Sequence, residues 1–240
     1  MSRSSDDIPS SGLPTCGSRT LRYTRSHRGA SDAEDPGEDS KVQSVIGVVV
    51  LLVNPLPPPA IAKLIDLNAE EVIMTLTSIQ SLLVLHDDLD DPNHPVKPFH
   101  KSFPDFIMDP SHYLNKRFYI SPGSLHLQLA INCLELMNSS LDKNFLSLPD
   151  YTLNSEVEDL PGRVKDNICP ALEYACKSWY NHLNGIRVDT SDVLHVLQCF
   201  LKKKFLPWLE VVSVLGAPRV AIIALENLIL WLQEVSFRLL

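Results

Sequence analysis

Apolar positions recur with helical spacing along most of this chain from residue 42 onward. In VQSVIGVVVLLVNPLPPP, Val45, Ile46, Val49, Leu52 and Val53 fall on one broad face, and the Asn54-Pro55 pair that follows stops the helix. AIAKLI places Ile61, Leu64 and Ile65 at the same spacing. Asn68 then reads as an N-cap with Glu71 as its capping-box partner, opening a helix whose stripe is Val72, Leu76, Ile79 and Leu83. LLVLHDD and HPVKPFHKSF read as two short strands around an acidic loop at 87–95, and Pro98 confines the second strand to an edge. Three short helices followed by a hairpin is a winged-helix pattern.

The second half is helical in period throughout. Ser121-Pro122 reads as N-cap and first helical residue, followed by an inward face of Leu125, Leu129, Cys133 and Leu136 or Met137. Residues 142–167 are polar and read as irregular. Pro170 then opens a helix with Leu172, Cys176, Trp179 and Leu183 on one face and Gly185 as its stop. Asp189 or Thr190 caps the next, carried by Val193, Leu194, Leu197, Phe200 and Leu201, with lysines at its C-terminal end where the dipole favours them. FLPWLEVVSVLG and APRVAIIALENLILWLQEVSFRLL complete the series, and no regular internal repeat is present. The pattern predicts a mainly α chain in three parts: a disordered tail at 1–41, a winged helix at 42–120 and a helical bundle at 121–240.

Composition changes this picture in three places. Residues 1–41 are rich in Ser, Gly and Pro, and cannot bury enough apolar surface to offset their ordering entropy. Their arginines (Arg19, Arg22, Arg25, Arg28) read as part of a solvated tail rather than as a docking strip. A formal net charge of -8 argues against a nucleic-acid backbone partner. Between residues 64 and 96 there are seven acidic residues and no Lys or Arg, so a DNA-reading use of the winged helix is disfavoured. The five cysteines form no CxxC pair and no signal peptide opens the chain, which predicts reduced thiols in the cytoplasm. The longest apolar run, at 42–53, is short of the roughly 20 residues that span a bilayer, so no membrane partner is expected.

Candidate chemistry is sparse. There is no GxxxxGK[ST] or GxGxxG loop to cradle phosphates, so tight nucleotide binding by the chain alone is not expected, nor is an enzyme. HDDLDDPNHP offers Asp87, Asp88, Asp90 and Asp91 with two histidines. A calcium loop starting at Asp87 needs Gly at its sixth position and Glu at its twelfth, where this chain has Pro92 and Pro98, so no metal is expected. His182 and His195 lie beside apolar helical positions and read as satisfied structural histidines.

Four stretches, VVVLLVNPLPPPAIAKLI, PFHKSFPDFIMDP, YACKSWYNHL and LPWLEVVSVLG, give residues 43–235 a resemblance to the region after the nucleotide-binding core of fungal NACHT-domain proteins, NLR-like members of the STAND class of signalling NTPases. The resemblance implies a winged helix and helical region that couple nucleotide state to protein partners, an intact NACHT relative among them. The phosphate loop and the C-terminal repeats of that family are missing here. ADP or ATP would then bind only where a NACHT core is supplied elsewhere. The resemblance also implies a role for His100, a histidine late in the winged helix that reaches the β-phosphate of ADP. His100 would precede a helix with Ser102 as N-cap and Asp105 at the capping-box position, although Pro104 removes one donor. The alternative is that His100 packs between Phe99 and Phe103. A stand-alone helical adaptor or decoy is the alternative for the whole chain.

Overall fold

In the computed structural model, described over residues 36–112, 119–149, 152–188 and 190–238, ten α-helices and one two-stranded sheet follow one another. The described residues all belong to one compact unit, Glu34–Leu240. The arginines of the expected tail, and Cys16, lie outside the described residues.

Helix α1 (Pro36–Leu51) begins six residues before the expected boundary at 42. Proline suits a first helical position because its φ is already helical and its missing N–H has no partner to lose there. Val45, Val48 and Val49 are buried, while Val53 lies beyond the helix end and is exposed. Helix α2 (Pro58–Ile65) starts on a Pro-Pro pair and ends at Asp66, whose φ of 54° reverses the chain. Helix α3 (Ala69–Ser78) is capped as its sequence predicts, Asn68 Oδ1 accepting from Glu70 N–H at 2.8 Å. Glu71 accepts from Lys41 Nζ of α1 at 2.6 Å, and this bond, together with the Asn68 backbone N–H of the capping box, holds its carboxyl below the usual range.

Strands β1 (Leu83–Val84) and β2 (Lys97–Pro98) pair antiparallel, Leu83 opposite Pro98 and Val84 opposite Lys97. The expected hairpin is therefore present but only two residues long on each side. Val96 N–H to Leu56 carbonyl (2.9 Å) anchors it to the α1–α2 connection. Helix α4 (Ser102–Met108) follows, and its Ile107 joins Ile46 and Ile120 in a small satellite cluster.

The remaining helices are α5 (Pro122–Ser140), α6 (Leu160–Asn167), α7 (Pro170–Gly185), α8 (Ser191–Lys203), α9 (Phe205–Val214) and α10 (Pro218–Arg238). Within the stretch expected to be irregular, α6 is a real helix, started by Asp159 Oδ1 accepting from Gly162 N–H at 3.2 Å. Helix α7 is the centre of the molecule: α5, α2, α9 and α10 all pack on it. Every apolar position predicted to face inward on α7 is buried. Trp179 meets Phe200 of α8 and Trp208 of α9 at ring centroids of 5.4 and 5.9 Å, and Trp208 Nε1 donates to the Cys176 carbonyl at 2.9 Å. One core runs from Val45 on α1 to Val235 on α10, so the segments at 42–120 and 121–240 share their interior across residue 120.

Candidate functional site

His100 stands two residues ahead of Ser102, and in the structure its ring caps the helix that follows. Ser102 is the first residue of α4 rather than its cap, and the cap position falls on Lys101, which makes no side-chain capping bond. The cap is supplied by His100: its Nδ1 lies 3.2 Å from Ser102 N–H and 2.6 Å from Ser102 Oγ. A backbone N–H can only donate, so Nδ1 is the acceptor and the imidazole proton sits on Nε2. The ring is exposed, and so is Phe99, so His100 does not pack between Phe99 and Phe103. Asp105 lies in the first turn and is exposed.

The acidic loop between the strands is organised by its own side chains. Asp91 accepts from Asn93 N–H at 2.9 Å and meets His94 Nδ1 at 2.8 Å, while His86 and His94 stack with ring centroids 3.5 Å apart. The Asn93 N–H and side-chain amide hold the Asp91 carboxyl below its ordinary range. Asp87, Asp88 and Asp90 stay exposed, and no group of three or more potential metal ligands occurs among the described residues.

The most developed polar arrangement lies in the core, at His182. This residue is fully buried on α7 and bonded at both ring nitrogens. Its Nε2 is 2.8 Å from Tyr174 Oη, and its Nδ1 is 3.0 Å from Nδ1 of His126 on α5. Val53 N–H, just beyond α1, donates to the same Tyr174 oxygen at 3.2 Å. One proton arrangement satisfies the whole chain: Val53 N–H to Tyr174, Tyr174 O–H to His182, His182 Nδ1–H to His126, and His126 Nε2–H outward.

Burial, and next the neighbouring His126, push the His182 pKa down to about 3. Burial and the Arg187 guanidinium lower His126 as well. Burial raises Tyr174 far above the usual phenol range and pushes the Cys176 thiol up to about 12. Near neutral pH the network is therefore uncharged, with no thiolate or phenolate beside it to serve as a nucleophile. It ties α5, α7 and the α1–α2 connection together.

Gly185 belongs to this arrangement. Expected as the stop of α7, it is the last helical residue, and a Cβ there would lie 2.2 Å from Cδ2 of His126. The glycine is required by the close approach of α5. His195, by contrast, is exposed on α8 and is not a core histidine. His126 was not legible as a partner, because 56 residues separate it from His182 and nothing local marks the pair.

Two surface features remain. A cleft of about 200 Å³ opens between α1 and α5, lined in part by Lys41, Gln128 and Asn132. Its polar groups already have partners, Lys41 with Glu71 and Gln128 Nε2 with Asn132 Oδ1 at 2.7 Å. Helix α10 is the larger feature. Ala224, Leu228, Trp231 and Val235 face the core, while Ile222, Ile223, Ile229, Leu230 and Phe237 point outward, Phe237 being 81% exposed. Pro218–Phe237 is also long and apolar enough to cross a membrane by length and composition, with a mean hydropathy of 1.5. Sequence reading missed this stretch as an apolar run because Glu226 and Asn227 interrupt it.

Comparison of the chain with family models, with curated proteins and with solved structures finds no match.

Proposed function

We propose that this chain is a non-catalytic interaction module of the NACHT, NLR-like signalling type, acting through protein partners in the cytoplasm. The observation that carries the reading is the outer face of α10: five large apolar side chains held outward on a helix whose opposite face is locked into the core. Large apolar side chains exposed together on one helix face mark a surface made to be covered. The neutral Tyr174–His182–His126 network at the molecule's centre suits a scaffold, since it joins α7 to α5.

Within this reading, α1, α2, α3 and the β1–β2 hairpin constitute the winged helix, supported by their order along the chain. His100 keeps the nucleotide-sensing role that the resemblance implies, to be exercised only against a NACHT core on another chain. Its exposed ring, with Nδ1 engaged by Ser102 and Nε2–H available as a donor, supports that role. The second reading, a stand-alone helical adaptor, is favoured by the main core, which runs from Val45 to Val235.

Titration of the purified chain with ADP and with ATP and magnesium, followed by phosphate release, tests the proposal. The expected outcome is no turnover and no heat that depends on His100, compared through His100→Ala. Sustained magnesium-dependent ATP hydrolysis contradicts it.

A further inference from the structure

We infer that the outer face of α10 pairs, antiparallel and about a two-fold axis, with α10 of a second copy of this chain. The argument begins with spacing. Ile222, Ile223, Glu226, Ile229, Leu230, Gln233, Ser236 and Phe237 share one helix face, because steps of three and four residues return to the same side. Read backwards, this face has nearly the same pattern as read forwards, with its centre between Ile229 and Leu230.

An isologous interface requires that kind of self-match, since residue i of one copy meets residue j of the other and the reverse. With the axis at that centre, Ile222 of one copy lies opposite Phe237 of the other, and Ile229 opposite Leu230. Two of its three polar positions also coincide: Glu226 meets Gln233, whose amide can donate to the carboxylate. Ile223 opposite Ser236 is the one unlike pair.

Size agrees with this occupant. The five outward apolar side chains expose on the order of 600 Å² per copy, close to the roughly 800 Å² each partner gives a standard interface. The helix is already ordered before it pairs, because its inner face is buried and Asn227 bonds Asn184 of α7 at 2.6 Å, so little conformational entropy is lost. A bilayer surface fits less well. Glu226 and Gln233 sit in the middle of the face, and Arg219 is the one exposed cation on the helix among the described side chains.

Light scattering coupled to size exclusion, over about 1–100 µM full-length chain, reads the pairing. The expected result is a dimer mass for the natural chain and a monomer for Leu230→Glu with unchanged far-ultraviolet circular dichroism. Gln233→Glu sets two carboxylates against each other twice across the axis and weakens association at least about tenfold. Adding Glu226→Arg to Gln233→Glu restores it, which only the inferred register explains. A natural chain that stays monomeric at about 100 µM, with or without binding to phosphatidylcholine–phosphatidylserine vesicles, overturns the pairing. So does a dimer indifferent to Leu230→Glu or to the charge pair. The pairing rests on the interaction-module reading, yet the two fail separately. A monomer without ATP turnover sinks the pairing alone, whereas turnover sinks the reading.

Discussion

Helices α7 and α10 pack against each other, and they differ in a way that their compositions invert. Helix α10 is the more apolar of the two, yet it buries one side only and turns five large apolar residues to solvent. Helix α7 carries Ser178, His182, Asn181 and Lys177, yet ten of its sixteen residues are buried. Position in the bundle decides burial. Because α7 has helices on several sides, even its polar Ser178 and His182 are enclosed, and His182 finds partners in Tyr174 and His126. Because α10 lies at the margin, its apolar residues need no internal partner and can serve an external one.

The strongest way to break the comparison is to remove α7's aromatic anchor. Trp179→Ala deletes a side chain packed on Phe200 and Trp208 and is expected to cost about 3–5 kcal/mol, a large share of a domain's stability. Urea unfolding should show a midpoint far below that of the natural chain.

Acid comes next. The folded-state pKa of His182 is about 3, against roughly 6.5 in an unfolded chain. Below pH ~6.5 the unfolded state takes up a proton that the folded state refuses. The contribution is therefore whole above that pH and is lost as pH falls toward 3. By pH ~4.5 the loss from this one group is on the order of 3 kcal/mol, and His126 adds to it with the same sign. His182→Gln should be less stable at neutral pH and show a flatter fall between pH ~6.5 and ~4.5 in the same unfolding assay.

Gly185→Ala sharpens the comparison through its sign. In an open helix, Gly to Ala gains up to about 1 kcal/mol. Here the new methyl would enter the His126 ring, so a loss of about 1–3 kcal/mol is expected, together with disruption of the His126–His182 contact. A gain in thermal midpoint would mean that α5 and α7 are not as close as described.

The helices with strong apolar stripes were legible in the sequence. On α7 every residue expected to face inward is buried, and on α5 and α8 the expected residues are buried or half-buried against the core, because a stripe on a helix within a bundle has somewhere to be buried. On α3 Val72 and Leu76 are buried, but the helix ends at Ser78, short of Ile79 and Leu83. The Asn68 cap was legible for a local reason: its acceptor serves an N–H two residues away. Helix α6 was not, since it holds few apolar positions, although Asp159 ahead of Pro161 was a start signal in plain view. At the hairpin, the acidic loop was readable from charge, but not the histidine stack that organises it. The core relay was invisible for a different reason. Tyr174 and His182 share a helix, but His126 and Val53 reach them through the fold, and no spacing in the chain announces such a meeting. The same limit applied to His100, whose bond to Ser102 depends on a side-chain rotamer rather than on residue type.

The contrast between an inner and an outer face of α10 is tested most directly at two leucines two residues apart. Leu228 is 4% exposed and Leu230 is 60% exposed. Urea unfolding of Leu228→Glu and Leu230→Glu, run side by side with the natural chain at a concentration where light scattering reads a monomer, separates the faces. Leu228→Glu should lose more than about 3 kcal/mol or its cooperative transition altogether, and Leu230→Glu should stay within about 0.5 kcal/mol of the natural chain. Equal losses at both positions would contradict the account, because the outer face would then belong to the protein's own core.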